Sequence, residues 1–287
     1  MSILSLRDFL QRHRRLFVLT GAGCSTDSGI PDYRGIDGAW KRPPPVTLQA
    51  FLGSEAVRQR YWARSLVGWR HFSRAEPNAA HRALARLERQ GLLETIVTQN
   101  VDGLHQAAGS ACVIDLHGRL DRVVCMDCYQ LQTREELQRE LLRRNPAWAE
   151  LSGRTAPDGD AELDGLTFSE FSVPGCGRCG GLLKPDVVFF GESVPRHRVE
   201  AAMQQLDQAE AVLVVGSSLM VYSGYRFVKA AADAGKPIAA INIGRTRADG
   251  LLTLKVSEPC GPSLSAATPE AEPVPPPCAA NRLSGGP

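Results

Sequence analysis

A chain of 287 residues with 43% hydrophobic and 22% charged side chains has the make-up of a globular protein that buries a core. Its net charge of +2 gives no ground for a nucleic-acid or anionic-membrane partner. No apolar run approaches the roughly 20 residues that a membrane-spanning helix needs. The opening residues, MSILSLRDFLQRHRR, are apolar and basic at helical spacing. They lack the apolar stretch and small-residue cleavage site of a signal peptide, so a cytoplasmic protein is expected. LFVLT (16–20) reads as a buried strand and runs straight into Gly21-Ala22-Gly23, the start of a dinucleotide loop. The pattern then breaks: Thr26 stands where a third glycine belongs. By itself this fragment fits a plain turn as well as a cofactor loop.

Further strands are expected at TIVTQN (95–100), CVIDLHG (112–118), DVVFFGE (186–192), AVLVVGSS (211–218) and PIAAINIG (237–244). Helical stretches such as PNAAHRALARLERQG (77–91) and HRVEAAMQQLDQAE (197–210) separate most of them. Near-continuous apolar strands alternating with amphipathic helices predict an α/β fold, a parallel sheet covered on both faces. Ligands bind such sheets beyond the carboxyl ends of the strands. The unusual polar residues gather there: Gly21–Ser25, Gln99, Asn100, Asp102, His117, Gly216, Ser217, Ser218 and Asn242. Residues 119–185 break the alternation and read as an inserted small domain. Residues 257–287, rich in proline and without periodicity, read as a disordered tail.

Eight cysteines without a secretory signal do not predict a disulfide framework. Four form two C-x-x-C pairs, Cys125/Cys128 and Cys176/Cys179. Two such knuckles can close on one tetrahedral zinc; two redox pairs are the other reading. With four thiolates and no open position, the zinc would be structural.

In order along the chain stand GAGCSTDSGIPDYRG (21–35), TQNVDGLH (98–105), LHG (116–118), the two cysteine pairs, KPDVVFFGE (184–192), GSSLMVYSGYRF (216–227) and NIG (242–244). Together they resemble the sirtuins, NAD-dependent protein deacylases, over about residues 10–256. RQRYWARSLVGW (58–69) and APDGD (156–160) resemble the class II branch that includes the mitochondrial sirtuin four. The resemblance implies a Rossmann-like NAD-binding domain from residues 1–118 and 186–256, around a zinc-binding domain at 119–185. The broken glycine pattern is then the family's own loop.

By the same resemblance, His117 is the general base for the ribose hydroxyls, with a structural hydrogen bond as its other reading. Asn100 and Gln99 hold ribose and water, and Asp102 reads the nicotinamide carboxamide. Gly21, Ala22, Gly23, Ser25, Asp32, Tyr33, Arg34, Gly216, Ser217, Ser218, Asn242, Gly244 and Cys260 complete the implied cofactor set. Val188, Phe189, Gly191 and Glu192 offer a backbone edge to an acyl-lysine peptide. Tyr61 and Arg64, three apart and so on one helical face, would grip a carboxylated acyl group, unless the helix is simply solvated. His81 and His105 read as structural. Mono-ADP-ribosyl transfer from the same NAD site is the alternative activity, and a non-enzymatic zinc-ribbon binding module the third reading.

Overall fold

The computed structural model describes residues 3–41, 45–153, 156, 158–163 and 165–268. Helix α1 (Ile3–Arg12) leads into β1 (Leu16–Thr20), whose five side chains are all buried. Then come α2 (Leu48–Gly53), α3 (Glu55–Phe72), α4 (Ala79–Arg89), β2 (Leu93–Thr98), α5 (Leu104–Ala107) and β3 (Val113–Asp115). An excursion follows: β4 (Gly118–Cys125), β5 (Leu131–Thr133), α6 (Arg134–Arg144) and β6 (Leu183–Val187). The chain returns through α7 (Arg196–Gln208), β7 (Ala211–Val215), α8 (Tyr222–Asp233), β8 (Ile238–Ile241), β9 (Leu254–Val256) and α9 (Cys260–Ala267). Among the described residues, no helix is long and apolar enough to cross a membrane.

Six strands form a parallel sheet in the order β3-β2-β1-β7-β8-β9. Inner strands of such a sheet are buried on both faces, which is why β1, β7 and β8 are continuous apolar runs. Leu6, Leu10, Leu84 and Leu264 pack on one face against Leu16, Val18 and Leu213. Ala202, Leu206, Phe227 and Val228 pack on the other against Phe17, Leu19 and Val212. The architecture is therefore the expected Rossmann-like sheet with helices on both faces. Helix α4 starts where Asn78 can cap it, its side-chain oxygen accepting from the amides of Ala80 and His81.

The run at 186–192 is not a parallel strand of this sheet. β6 pairs antiparallel with β4 in a second, three-stranded sheet of order β5-β4-β6. Asp186, Val187 and Val188 are only half-buried, as suits a strand packed on one side. The edge of the large sheet is instead the short β9. The small module also borrows from outside residues 119–185. Trp62, Leu66 and Val67 of α3 are buried against Val123, Leu137 and Phe171. Trp69 Nε1 donates to Glu135 at 2.9 Å, and Gln138 Nε2 to the Leu66 carbonyl at 2.9 Å. Cys112 is disulfide-bonded, where the sequence predicts free thiols.

The expectation of a tail disordered from 257 onward is corrected at 260–267, where the chain forms α9. Composition hid this helix because glycine, proline and two serines take four of its first six positions, yet Leu264 and Ala267 are fully buried against α1 and α4. The rest of that expectation, from 269, lies outside the described residues. Leu264→Ala is expected to cost about 2–5 kcal/mol, the range for emptying a buried leucine site. Urea unfolding of the variant measures it; an unchanged midpoint would show that α9 contributes nothing to the core.

Candidate active site

The loops leaving β1, β2 and β7 meet above the carboxyl edge of the sheet, and backbone meets backbone there. The Gly21 amide donates to the Val215 carbonyl at 3.1 Å and the Gly23 amide to the Gly216 carbonyl at 2.8 Å. Gly216 has φ +62°, and a Cβ on it would lie 2.2 Å from the Cys24 nitrogen. That contact explains the broken fingerprint: the glycines serve loop-to-loop approach. Thr26 instead opens a second 3-10 turn and donates to the Gly23 carbonyl.

From β2, Gln99 donates through Nε2 to the Thr20 carbonyl at 3.2 Å and to Ser217 Oγ at 2.7 Å. Asn100 Nδ2 donates to the Gly21 carbonyl at 3.1 Å and to Ser25 Oγ at 3.0 Å. Ser25 donates in turn to Asp102 Oδ2 at 2.7 Å. Burial raises the Asp102 pKa, and the hydrogen bonds from the Leu104 amide and Ser25 oppose that rise. Beneath this network lie two histidines. His105 Nε2 meets Thr20 Oγ1 at 2.9 Å, and His81 Nδ1 accepts from the Asn78 amide at 3.2 Å. Both are buried and shifted toward the neutral form, chiefly by desolvation. Their hydrogen bonds to Thr20 and to the Asn78 amide tie them into the base of the loop.

His117 follows β3. Its Nδ1 stands 2.9 Å from the Gln99 carbonyl, and its Nε2 stands 2.8 Å from Ser223 Oγ. A carbonyl can only accept, so Nδ1 carries the proton and Nε2 is the basic nitrogen, accepting from the Ser223 hydroxyl. Burial chiefly, with Arg198 and Arg226 adding and the Gln99 carbonyl opposing, brings the imidazole down to about 4. His117 is therefore expected to stay neutral well below pH 6.5, as ring-proton NMR titration of the free protein would show. A midpoint at the ordinary histidine value would refute the buried environment described here.

These residues enclose a cavity of about 580 Å³. Its wall takes Gly21, Ala22, Gly23 and Ser25 from the first loop and Asp32, Tyr33 and Arg34 from its continuation. Gln99, Asn100, Asp102 and His117 form one side; Gly216, Ser217, Ser218 and Asn242 form another. Val188, Phe189, Gly191 and Glu192 form the lip, joined by Tyr61. The backbone of that lip is partly engaged: the Val188 amide donates to the His117 carbonyl at 2.8 Å and the Phe189 amide to Glu192 Oε2 at 2.8 Å.

Three expected residues lie off this wall. Gly244 backs the loop at Ile36, Cys260 is buried in α9 beside the Ile241 carbonyl, and Arg64 points elsewhere. Arg64 Nε donates to the Ala161 carbonyl at 2.9 Å, and its charge acts on buried Asp160. The expected Tyr61–Arg64 clamp is thus overturned: helical spacing puts both on one face, but the 156–163 segment captures the guanidinium. Asp158, which lies in the APDGD stretch but was not singled out, reaches the wall. Ser223, Tyr222 and Arg226 are further wall residues that the sequence reading missed. All three lie in the 216–227 motif, of which only Gly216, Ser217 and Ser218 were singled out.

At the far end of β4, roughly 24 Å from His117 by strand rise, the four cysteine sulfurs converge within 4.8 Å of one another. Cys125 and Cys179 stand 3.5 Å apart, Cys128 and Cys176 3.8 Å. A tetrahedral zinc with thiolates at 2.3 Å has sulfur edges of about 3.8 Å, so the set fits the metal. Each knuckle closes with an amide returned to its first cysteine's carbonyl, from Tyr129 at 3.1 Å and from Gly180 at 2.8 Å.

The family model for the Sir2 family matches residues 21–223. An NAD-dependent protein deacetylase of Xanthomonas campestris pv. campestris (strain 8004) is 66% identical over 261 residues, 91% of this chain and 89% of that one. Another, from Bordetella bronchiseptica, is 65% identical over 256 residues, covering 89% and 93%. Among solved structures, Sir2 with a p53 peptide and NAD+ matches with TM-score 0.76 and 31% identity, over 92% and 96% of the two chains. A Sir2 structure with a propionylated peptide matches with TM-score 0.72 and 30% identity, over 92% and 96%. The matched span opens at the first cavity loop and ends on the serine that holds His117, and the chain belongs to the Sir2 family, the sirtuins.

Proposed function

We propose that the protein removes acyl groups from lysine side chains of proteins with NAD as cosubstrate, releasing nicotinamide and an acyl-ADP-ribose. One observation carries the reading: a neutral imidazole whose basic Nε2 faces a cavity built from the three strand-end loops. NAD supplies the glycosidic bond whose cleavage leaves a ribose carbon open to the acyl oxygen. The donor set fits it, with Ser218 and Asn242 available to hydroxyls and phosphate, and Asp102 to the carboxamide.

His117 takes a proton at Nε2 from a ribose hydroxyl, which replaces Ser223 as its hydrogen-bond donor. The Gln99 carbonyl holds the ring in that tautomer and stabilises the imidazolium that results. Asn100 and Gln99 orient ribose and water. Tyr33, half-buried in the wall, excludes bulk water from the reacting carbon. The substrate segment lies along the lip at Val188–Glu192. The zinc has no chemical role and holds the module together.

The kinship to the class II branch is part of this proposal. Its two marker segments pack together: a Cβ on Gly68 would lie 2.3 Å from the Gly159 carbonyl oxygen, and the Ala161 amide, just past the second segment, donates to the Arg64 carbonyl at 3.0 Å. The Arg64 guanidinium is held at the Ala161 carbonyl, off the wall, so the anchor expected for a carboxylated acyl group is missing from it. Acetyl and other uncharged acyl-lysines are therefore the expected substrates. A panel of acetyl, succinyl, glutaryl and lipoyl peptides with NAD, scored by nicotinamide release, tests the assignment. Release no greater than in a His117→Ala control for every peptide would refute it. Mono-ADP-ribosyl transfer uses the same cavity, and product analysis separates the two: acyl-ADP-ribose or modified protein. Nothing in the site favours a purely binding role.

A further inference from the structure

Helix α8 begins at the cavity mouth with Tyr222, which is 55% exposed. One turn on, the Arg226 guanidinium lies 5.3 Å from the Tyr222 ring centroid. Arg247, which follows β8 in the chain, lies 5.9 Å from that ring and 4.3 Å from the ring of Tyr225. Arg247 also donates to the Met220 carbonyl at 3.3 Å, which fixes its position. Two guanidiniums are thus held on one exposed aromatic, at the rim of the site.

Neither has a carboxylate within ion-pairing distance among the described residues, although Arg15, Arg122, Arg198 and Lys255 each have one. Arg226 Nε is buried and has no hydrogen-bond partner among the described residues. The acid on the facing lip, Glu192, is already held by Lys184 at 3.1 Å and by the Phe189 amide. A guanidinium presents a planar fork that fits a carboxylate, and an unpaired buried donor is costly until something satisfies it. Arg226 belongs to the cavity wall while Arg247 is exposed outside it, so together they carry positive charge from the cavity out onto its rim. A protein chain crossing the lip passes there; the tip of an acyl group inside the cavity does not.

We infer that the Arg226–Tyr222–Arg247 stack receives an Asp or Glu side chain of the protein segment flanking the acyl-lysine, so that the enzyme selects acidic substrate segments. The inference rests on the deacylase reading and names the substrate class of that site.

The test uses the full-length protein and fluorescent acetyl-lysine peptides carrying Glu, Gln or Lys at each flanking position. Affinity is read by anisotropy without NAD, at low and at physiological salt. The best Glu peptide is expected to bind roughly fivefold tighter than its Gln counterpart, an advantage that shrinks with salt. The advantage should vanish in the Arg226→Gln/Arg247→Gln double variant. Arg247→Glu should gain affinity for the Lys peptide, a result that misfolding cannot produce. Equal affinity for Glu and Gln peptides in the wild type, or an advantage that survives in the double variant, overturns the inference. So does a preference for succinyl-lysine in Gln peptides that depends on Arg226, without any flanking effect, since the carboxylate would then belong to the acyl group. Acidic selectivity without nicotinamide release from any peptide would uphold the surface and refute the deacylase reading.

Discussion

Replacing His117 with alanine is expected to lower nicotinamide release by ~100-fold or more, the usual scale for a positioned acid–base group. NAD binding should survive, because the loops that form the cavity hold one another without the ring. Gly21 and Gly23 bond to the β7 loop, and Asn100 and Ser25 bond to Asp102 and the first loop. What the variant loses is the one basic nitrogen whose tautomer the Gln99 carbonyl fixes. Steady-state rates with an acetyl peptide, paired with calorimetric NAD titration, separate the two effects. A variant that releases nicotinamide at near the normal rate would make His117 structural and leave the cavity without a base.

Loss of the zinc is expected to have the largest effect on stability. Structural zinc held by thiolates contributes on the order of 10 kcal/mol to the fold it closes. Cys176→Ser should therefore purify with well under one zinc per chain and unfold at markedly lower temperature. Activity should fall with it, for a reason visible in the backbone. β4 starts at the residue after His117, and the residue after β6, Val188, donates its amide to the His117 carbonyl. A module that melts at its cysteine end loosens both strands where they flank the base. Elemental analysis and thermal unfolding of wild type and variant check this. A wild-type protein that purifies without zinc, folded and active, would contradict it.

The sheet and the cavity were largely legible in the chain because both rest on local signals. Apolar runs 16–20, 211–215 and 238–241 are strands since nothing else buries both faces of so short a segment. The polar residues that end β1, β2, β3 and β7 had to sit together once those strands were parallel neighbours. What was not legible depends on contacts between segments distant in sequence. Arg64 has the right spacing for a partner of Tyr61, but its side chain is decided by the Ala161 carbonyl, far along the chain. The β-branched run at 186–188 matches a buried parallel strand in composition, yet β4 claims it for the other sheet. Helix α9 looked like tail because its helix formers are poor, and only its packing against α4 makes it helix. Ser223 lies in the 216–227 motif, but its role is found only by asking what stands beside Nε2.

The order of strands in the large sheet also governs how the protein comes into being. Leu16 of β1 is paired on one side with Leu93 and on the other with Ala211. During synthesis the first of these neighbours is made early, while the second waits until the whole zinc module has left the ribosome. Throughout that interval β1 offers an unpaired edge of four apolar residues and a threonine, the kind of surface that recruits other nascent chains. A topology this rich in distant pairings also closes slowly. A chaperone that shields β1 until β7 arrives would thus raise the yield of active protein. A chain that stops short of Val215 should collect in aggregates, however well its module binds metal.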